Sequence, residues 1–161
     1  MVPLVSVIVP TYNSAGTLEE CLSALSSQNY KNIEIIIADS FSKDKTKEIA
    51  RRFTNSIIDA ESLALARQKA VALAKGKYIL FLDSDQIIDP DTLERSVRTC
   101  EDEGFDGVTH FERSKIHKDT FVEHLINYDK WIFHSEQDDD PVHGTAEPRF
   151  FKAEFAKRID Y

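Results

Sequence analysis

The sequence predicts an α/β fold: a mostly parallel sheet with helices on both faces. Three observations predict it. Short apolar runs alternate with segments whose apolar residues recur at helical spacing. The short runs are continuously apolar, as expected of strands covered on both sides. The strand–helix alternation is sustained along the chain, which places a parallel sheet between two helical layers.

"VSVIV", residues 5 to 9, is a β-branched run stopped by Pro10 and predicts the first strand. A helix follows from about Thr17, where Thr17 and Glu20 have capping-box spacing and Leu18, Cys21, Leu22 and Leu25 share one face. "IEIIIA", residues 33 to 38, predicts a second buried strand, and "DKTKEIARRF" a helix carrying Ile49, Ala50 and Phe53. "SIID", residues 56 to 59, predicts a short third strand. Ser62 is placed to cap a helix running to Lys75, with Gly76 as its stop. "YILFL", residues 78 to 82, predicts the next strand. Asp89 is placed to cap a further helix with Pro90 at its first position, Leu93, Val97 and Cys100 inward, and Gly104 at its end. "DGVTHFE" predicts another strand, and a helix from about Thr120 to Phe133 closes the regular part, its apolar residues expected in a core.

At 161 residues the chain is read as a single domain, 1–161. Its composition, 42% hydrophobic and 30% charged, is that of a globular protein. A net charge of −8 with no long basic run argues against nucleic acid as a partner. No apolar stretch reaches the roughly 20 residues of a membrane span, and the N-terminus lacks the features of a signal peptide. Cys21 and Cys100 read as reduced core residues, consistent with a cytoplasmic protein. The five histidines show no metal-ligand spacing.

Ligands of open parallel sheets bind outside the carboxyl ends of the strands. Three predicted strand exits carry polar residues there: "PTYN" at 10 to 13, Asp39, and Asp83-Ser84-Asp85. Two carboxylates one residue apart suit a hard divalent cation, or divide between a cation and a sugar hydroxyl. Such a cation, Mg²⁺ or Mn²⁺, stabilises charge on a departing diphosphate. The plainer reading of acids in such a place is a helix cap or a solvated loop, and it suits Asp89 and Asp91. Asp83 and Asp85 come too early for the cap.

The stretches "VSVIVPTYNSAGTLEECLSALSSQNYKNIEIIIADS" and "ALARQKAVALAKGKYILFLDSDQIIDPDTLE", with an echo in "HGTAEPRFFKAEFAKRI", resemble the family 2 glycosyltransferases. That resemblance implies the Rossmann-like GT-A fold and binding of a nucleotide-diphosphate sugar. By position it implies that Pro10, Thr11, Tyr12 and Asn13 line the nucleotide, with Tyr12 stacked on the base. It implies that Asp39 accepts a hydrogen bond from a base N–H, that Arg67 approaches the diphosphate, and that Asp83, Ser84 and Asp85 bind donor and metal, with Asp85 the main metal ligand. Ser40 and Phe41 stand where the family carries an acid and a glycine. A phenylalanine takes positive φ only at a cost, so the loop's shape is not carried over.

The reaction implied is metal-dependent inverting transfer of a sugar from a UDP- or GDP-sugar to a hydroxyl of a glycan or lipid-linked acceptor. The expected place is the cytoplasm or the cytoplasmic face of a membrane. The family's base is expected beyond Tyr161, so the chain reads as C-terminally truncated relative to the full catalytic domain. Glu147 and Asp138 to Asp140 are weaker substitutes. Two other readings stay open: a non-catalytic nucleotide-sugar-binding domain, and a sugar-phosphate nucleotidyltransferase. The second would want a glycine-rich basic loop after the first strand, where "PTYNSAGT" has one glycine and no Lys or Arg.

Overall fold

A computed structural model describes residues 2–110, 119–126, 128 and 149–158. The chain divides into two compact units, Met1–Val108 with Arg149–Tyr161, and Thr109–Pro148.

The first unit is built on a six-stranded sheet. Its elements in chain order are β1 (Val5–Thr11), α1 (Leu18–Ser26), β2 (Ile33–Asp39), α2 (Thr46–Ala50), β3 (Ile57–Asp59), α3 (Leu63–Leu73), β4 (Tyr78–Phe81), α4 (Thr92–Asp102) and β5 (Gly107–Val108). After the second unit's helical residues 121–126 (α5) come β6 (Phe150–Lys152) and α6 (Ala153–Arg158). The strand order is β3-β2-β1-β4-β6-β5. The first four are parallel, with Val5 opposite both Ile33 and Tyr78, and Thr11 opposite Asp39. β6 runs antiparallel to β4 and β5, so the sheet is mixed at one end.

β1 is central and buried at all seven positions, which is why its sequence is continuously apolar. Its side chains divide by alternation between the two faces. Val5, Val7 and Val9 pack with Leu18, Leu22 and Leu25 of α1 and with Leu93, Val97 and Cys100 of α4. Ile8, on the other face, packs with Ala66, Ala70 and Val71 of α3 and with Ala153 and Ala156 of α6. Helices thus cover both faces, as predicted.

Helix starts differ from the expectation at two of three sites. Ser62 caps α3 as predicted, its Oγ accepting from the Leu65 N–H at 3.2 Å. Thr17 precedes α1 but makes no side-chain cap; the Ser14 carbonyl accepts from the Thr17 and Leu18 amides instead. Asp91, not Asp89, precedes α4, and its side chain does not cap either. The cap comes from Gln28, fully buried, whose Oε1 accepts from the Leu93 N–H at 3.2 Å while its Nε2 donates to the Asp89 carbonyl at 2.8 Å. A partner 65 residues away leaves no local sequence signal.

Two further expectations change. α3 ends at Leu73, before Gly76. Gly76 is needed for close approach: a Cβ there would lie 2.6 Å from the Ser6 amide nitrogen. In the second unit, Phe121, Val122, Leu125 and Ile126 were expected in a core and are exposed. Within it, Thr120 and Glu123 exchange hydrogen bonds as a capping box. Apart from Tyr128, the rest of the predicted helix to Phe133 lies outside the described residues, as do Asp138 to Asp140, His143 and Glu147.

Candidate active site at the carboxyl ends of the strands

The exits of β1 and β2 are stitched together. Ser40 donates its amide to the Thr11 carbonyl at 2.9 Å. Asn13 donates its amide to Ser42 Oγ at 2.8 Å, and its own Oδ1 accepts from the Lys43 N–H at 2.9 Å. Ser14 donates to Thr46 Oγ1 at 2.7 Å, and Ala15 to Asp44 Oδ2 at 3.0 Å. Hydrogen bonds to Asp44, from the Thr46 hydroxyl first and then from the Ala15 and Thr46 amides, hold its carboxyl below the usual carboxylate range. The polar residues of "NSAGT" and "SKDKT" therefore fix one loop pair rather than two independent turns.

Asp39 is the hub of that pair. Its side chain is fully buried at the end of β2. Oδ1 accepts from Thr11 Oγ1 at 2.7 Å and Ser42 Oγ at 2.6 Å; Oδ2 accepts from the Ser42 N–H at 2.8 Å and faces Lys47 Nζ at 3.5 Å. Lys47 is shared with Asp59 at 2.6 Å, and this second carboxylate chiefly holds its ammonium protonated. Both oxygens thus face donors within the chain, and Asp39 ties the exits of β1 and β2 together.

The turn from Asp39 back to Ser42 requires φ = +54° at Phe41. The loop thus keeps the left-handed shape that suits glycine, with a phenylalanine in it. For such a residue this conformation costs about 1–2 kcal/mol. The ring is half exposed, so burial offsets little of that cost. Lys47 Nζ sits 5.9 Å from the ring centroid, a cation–π contact contributing about 0.5–1 kcal/mol at an exposed site. Asn13, at φ = +50°, is of a type that visits this region readily. Tyr12, beside it, is exposed.

At the exit of β4 the predicted Asp-Ser-Asp divides its tasks. Ser84 Oγ donates to Ser14 Oγ at 2.9 Å and so joins this segment to the β1 loop. Asp83 faces two guanidiniums: Arg67 Nη2 lies 3.3 Å from Oδ1 and Arg149 Nη1 lies 2.6 Å from Oδ2. The sequence singled out Arg67 but not Arg149. Arg149 stands just before β6, and the antiparallel pairing of Leu80 with Phe150 brings it to the end of β4. Behind the segment, Cys21 Sγ contacts the Asp83 carbonyl at 3.7 Å; burial first, then the charges of Asp85 and Asp83, pushes this thiol up to about 12.

Asp85 is exposed and takes no hydrogen bond or ion pair among the described residues. Among those residues no group of three or more His, Cys, Asp and Glu side chains is placed to hold a metal ion. The chain offers one open carboxylate beside a second that is ion-paired. That donor set fits a cation which takes its remaining ligands from phosphate oxygens and water, as Mg²⁺ commonly does. It does not fit a closed, all-protein metal cage.

No helix among the described residues is long and apolar enough to cross a membrane.

Comparison with known proteins agrees with this architecture. Glycosyltransferase AglE from Haloferax volcanii is 37% identical over 114 residues, covering 65% of this chain and 38% of its own length. The S. aureus TarS 1-349 structure in complex with UDP-GlcNAc superposes with a TM-score of 0.64 at 27% identity, covering 73% of this chain and 36% of that one. The mannosyltransferase PcManGT from Pyrobaculum calidifontis, in complex with GDP-Man and Mn²⁺, superposes with a TM-score of 0.62 at 28% identity, covering 76% and 39%. The chain thus spans well under half the length of these relatives. The family model described as Glycosyl transferase family 2 matches residues 6–154, and the chain belongs to that family.

Proposed function

We propose that this chain carries the donor site of a metal-dependent, inverting glycosyltransferase that takes a UDP- or GDP-sugar. The observation that carries the reading is the convergence at one sheet edge of the Tyr12 loop, the Arg67–Asp83–Arg149 group and the open Asp85 carboxylate. TarS with UDP-GlcNAc and PcManGT with GDP-Man and Mn²⁺ support the ligand class by similarity.

In this reading the base rests against Tyr12 on the loop 10–13, with Pro10, Thr11 and Asn13 shaping its seat. Asp39 acts by holding that loop to the β2 exit through Thr11 and Ser42. Arg67 and Arg149 face the diphosphate, whose oxygens planar guanidiniums bind well. Asp85, with Asp83 beside it, would hold Mg²⁺ or Mn²⁺, which when bound supplies positive charge to the leaving diphosphate. The acceptor is a hydroxyl of a glycan or lipid-linked sugar. Its oxygen forms a bond to the anomeric carbon as the bond to the diphosphate breaks, and its proton passes to a carboxylate. Inversion follows from that single displacement. Ser84 keeps the metal-side segment in register with the β1 loop.

Calorimetric titration with UDP and GDP, each with and without Mn²⁺, tests this on the chain and its Asp85→Ala variant. Metal-enhanced binding that the variant loses is the expected result, and the stronger nucleotide identifies the donor base. Absence of binding to either nucleotide would overturn the reading.

A further inference from the structure

We infer that Phe41 is an aromatic wall of the donor's base subsite, working with Tyr12, an inference that rests on the donor reading above. The backbone points to it first. Phe41 holds φ = +54°, a conformation that glycine or asparagine takes more easily than phenylalanine. Local packing does not account for the residue, because 50% of its surface is exposed. A strained residue with an exposed aromatic ring at a strand exit suggests a contact outside the chain.

Its placement points the same way. Thr11 and Asp39 are register partners at the ends of neighbouring strands. Tyr12 leaves one residue past the first, and Phe41 two residues past the second. The two loops are tied by Asn13 to Ser42 and Lys43 and by Ser40 to Thr11, so the two residues belong to one rim. Tyr12 is 61% exposed, giving two open rings there. Lys47, pinned by Asp59 and Asp39, steadies the Phe41 ring through its ammonium. An aromatic face recognises a flat heterocycle whatever its edge pattern, so the ligand class is a purine or pyrimidine nucleoside diphosphate.

The test compares wild type with Phe41→Gly, Phe41→Leu and Phe41→Tyr, titrating UDP, GDP and pyrophosphate in the presence of Mn²⁺. Phe41→Gly and Phe41→Leu are expected to weaken the bound nucleotide roughly 5- to 100-fold, the range of one lost base–aromatic contact. Pyrophosphate binding should not change, and Phe41→Tyr should retain nucleotide affinity. The melting temperature of Phe41→Gly should equal or exceed wild type, since glycine relieves the backbone. Wild-type nucleotide binding that survives both Phe41→Gly and Phe41→Leu would overturn the inference and leave the donor reading standing. So would parallel loss of nucleotide and pyrophosphate, which would mean that Phe41 acts through loop shape. If wild type binds neither nucleotide, the donor reading fails and this inference fails with it.

Discussion

Arg149 Nη1 lies 2.6 Å from Asp83 Oδ2, across 66 residues of sequence. With Arg67 on the other oxygen, one carboxylate orients two guanidiniums from distant parts of the sequence. All three side chains are a third to a half exposed, so each pair contributes only about 0–1 kcal/mol to the fold. What the arrangement supplies is two guanidiniums held in place at the edge where a diphosphate is proposed to bind.

Arg149→Ala should therefore separate binding from stability. Its melting temperature should stay close to wild type. Affinity for UDP or GDP should fall at least about tenfold, the scale of a lost hydrogen bond between charged groups. Affinity for the free nucleosides should not move, because they carry no phosphate. Equal losses for nucleoside and nucleotide, measured by calorimetry, would place Arg149's effect in the loops instead.

Arg149 also shows where sequence reading stops. The parallel strands were legible because burial on both faces makes them continuously apolar, and β1, β2 and β4 stand where those runs are. The edge that would carry the site followed from the strand ends. Arg149 is brought to it by an antiparallel pairing between β4 and β6, which no periodicity records. The α4 cap supplied by Gln28 was hidden for the same reason. Phe41 is a different case. Its identity argued against a left-handed turn, but the Ser42 amide bonded to Asp39 Oδ2 demands one, and tertiary hydrogen bonding outweighs the local preference.

Asp39→Asn tests the hub. The amide has nearly the same shape but only one accepting oxygen, and its NH₂ would meet donors from Ser42 or Lys47. A fully buried group with unmatched donors costs about 3 kcal/mol. Chemical denaturation should show a loss of that size. Nucleotide affinity should fall as well, because the loop pair 10–15 and 39–46 loses its tie. A variant of wild-type stability would contradict the hub role.

Cys21 makes a prediction about alkaline pH. Its thiol is pushed up to about 12 from an ordinary value of 9.0, by burial above all and then by the charges of Asp85 and Asp83. The folded state favours the neutral thiol. Its contribution is therefore complete below pH 9 and is lost as the pH rises from there toward 12. At pH 8.5, iodoacetamide should leave Cys21 unmodified in the native chain and label it after urea unfolding. Asp85→Ala should not unmask it, since burial is the larger cause. Native labelling at the unfolded rate would show that the thiol is open to solvent.

Gly76→Ala tests the close approach between the start of β4 and β1. The added Cβ would meet three atoms: the Ser6 amide nitrogen at 2.6 Å, and Ser6 Oγ and the Tyr78 carbonyl oxygen at 2.7 Å each. Two of these are backbone atoms of paired central strands, which cannot turn away as a side-chain tip can. The Gly76 N–H also donates to Ser6 Oγ at 2.8 Å, and Ser6 in turn donates to Glu34, so displacement would disturb a buried chain of bonds. Overpacking of this kind costs about 1–3 kcal/mol, readable as a lower denaturation midpoint. The discriminating background is Ser6→Gly, which removes the hydroxyl but leaves both backbone atoms. There Gly76→Ala should remain destabilising; full tolerance in that background would assign the strain to the Ser6 side chain alone.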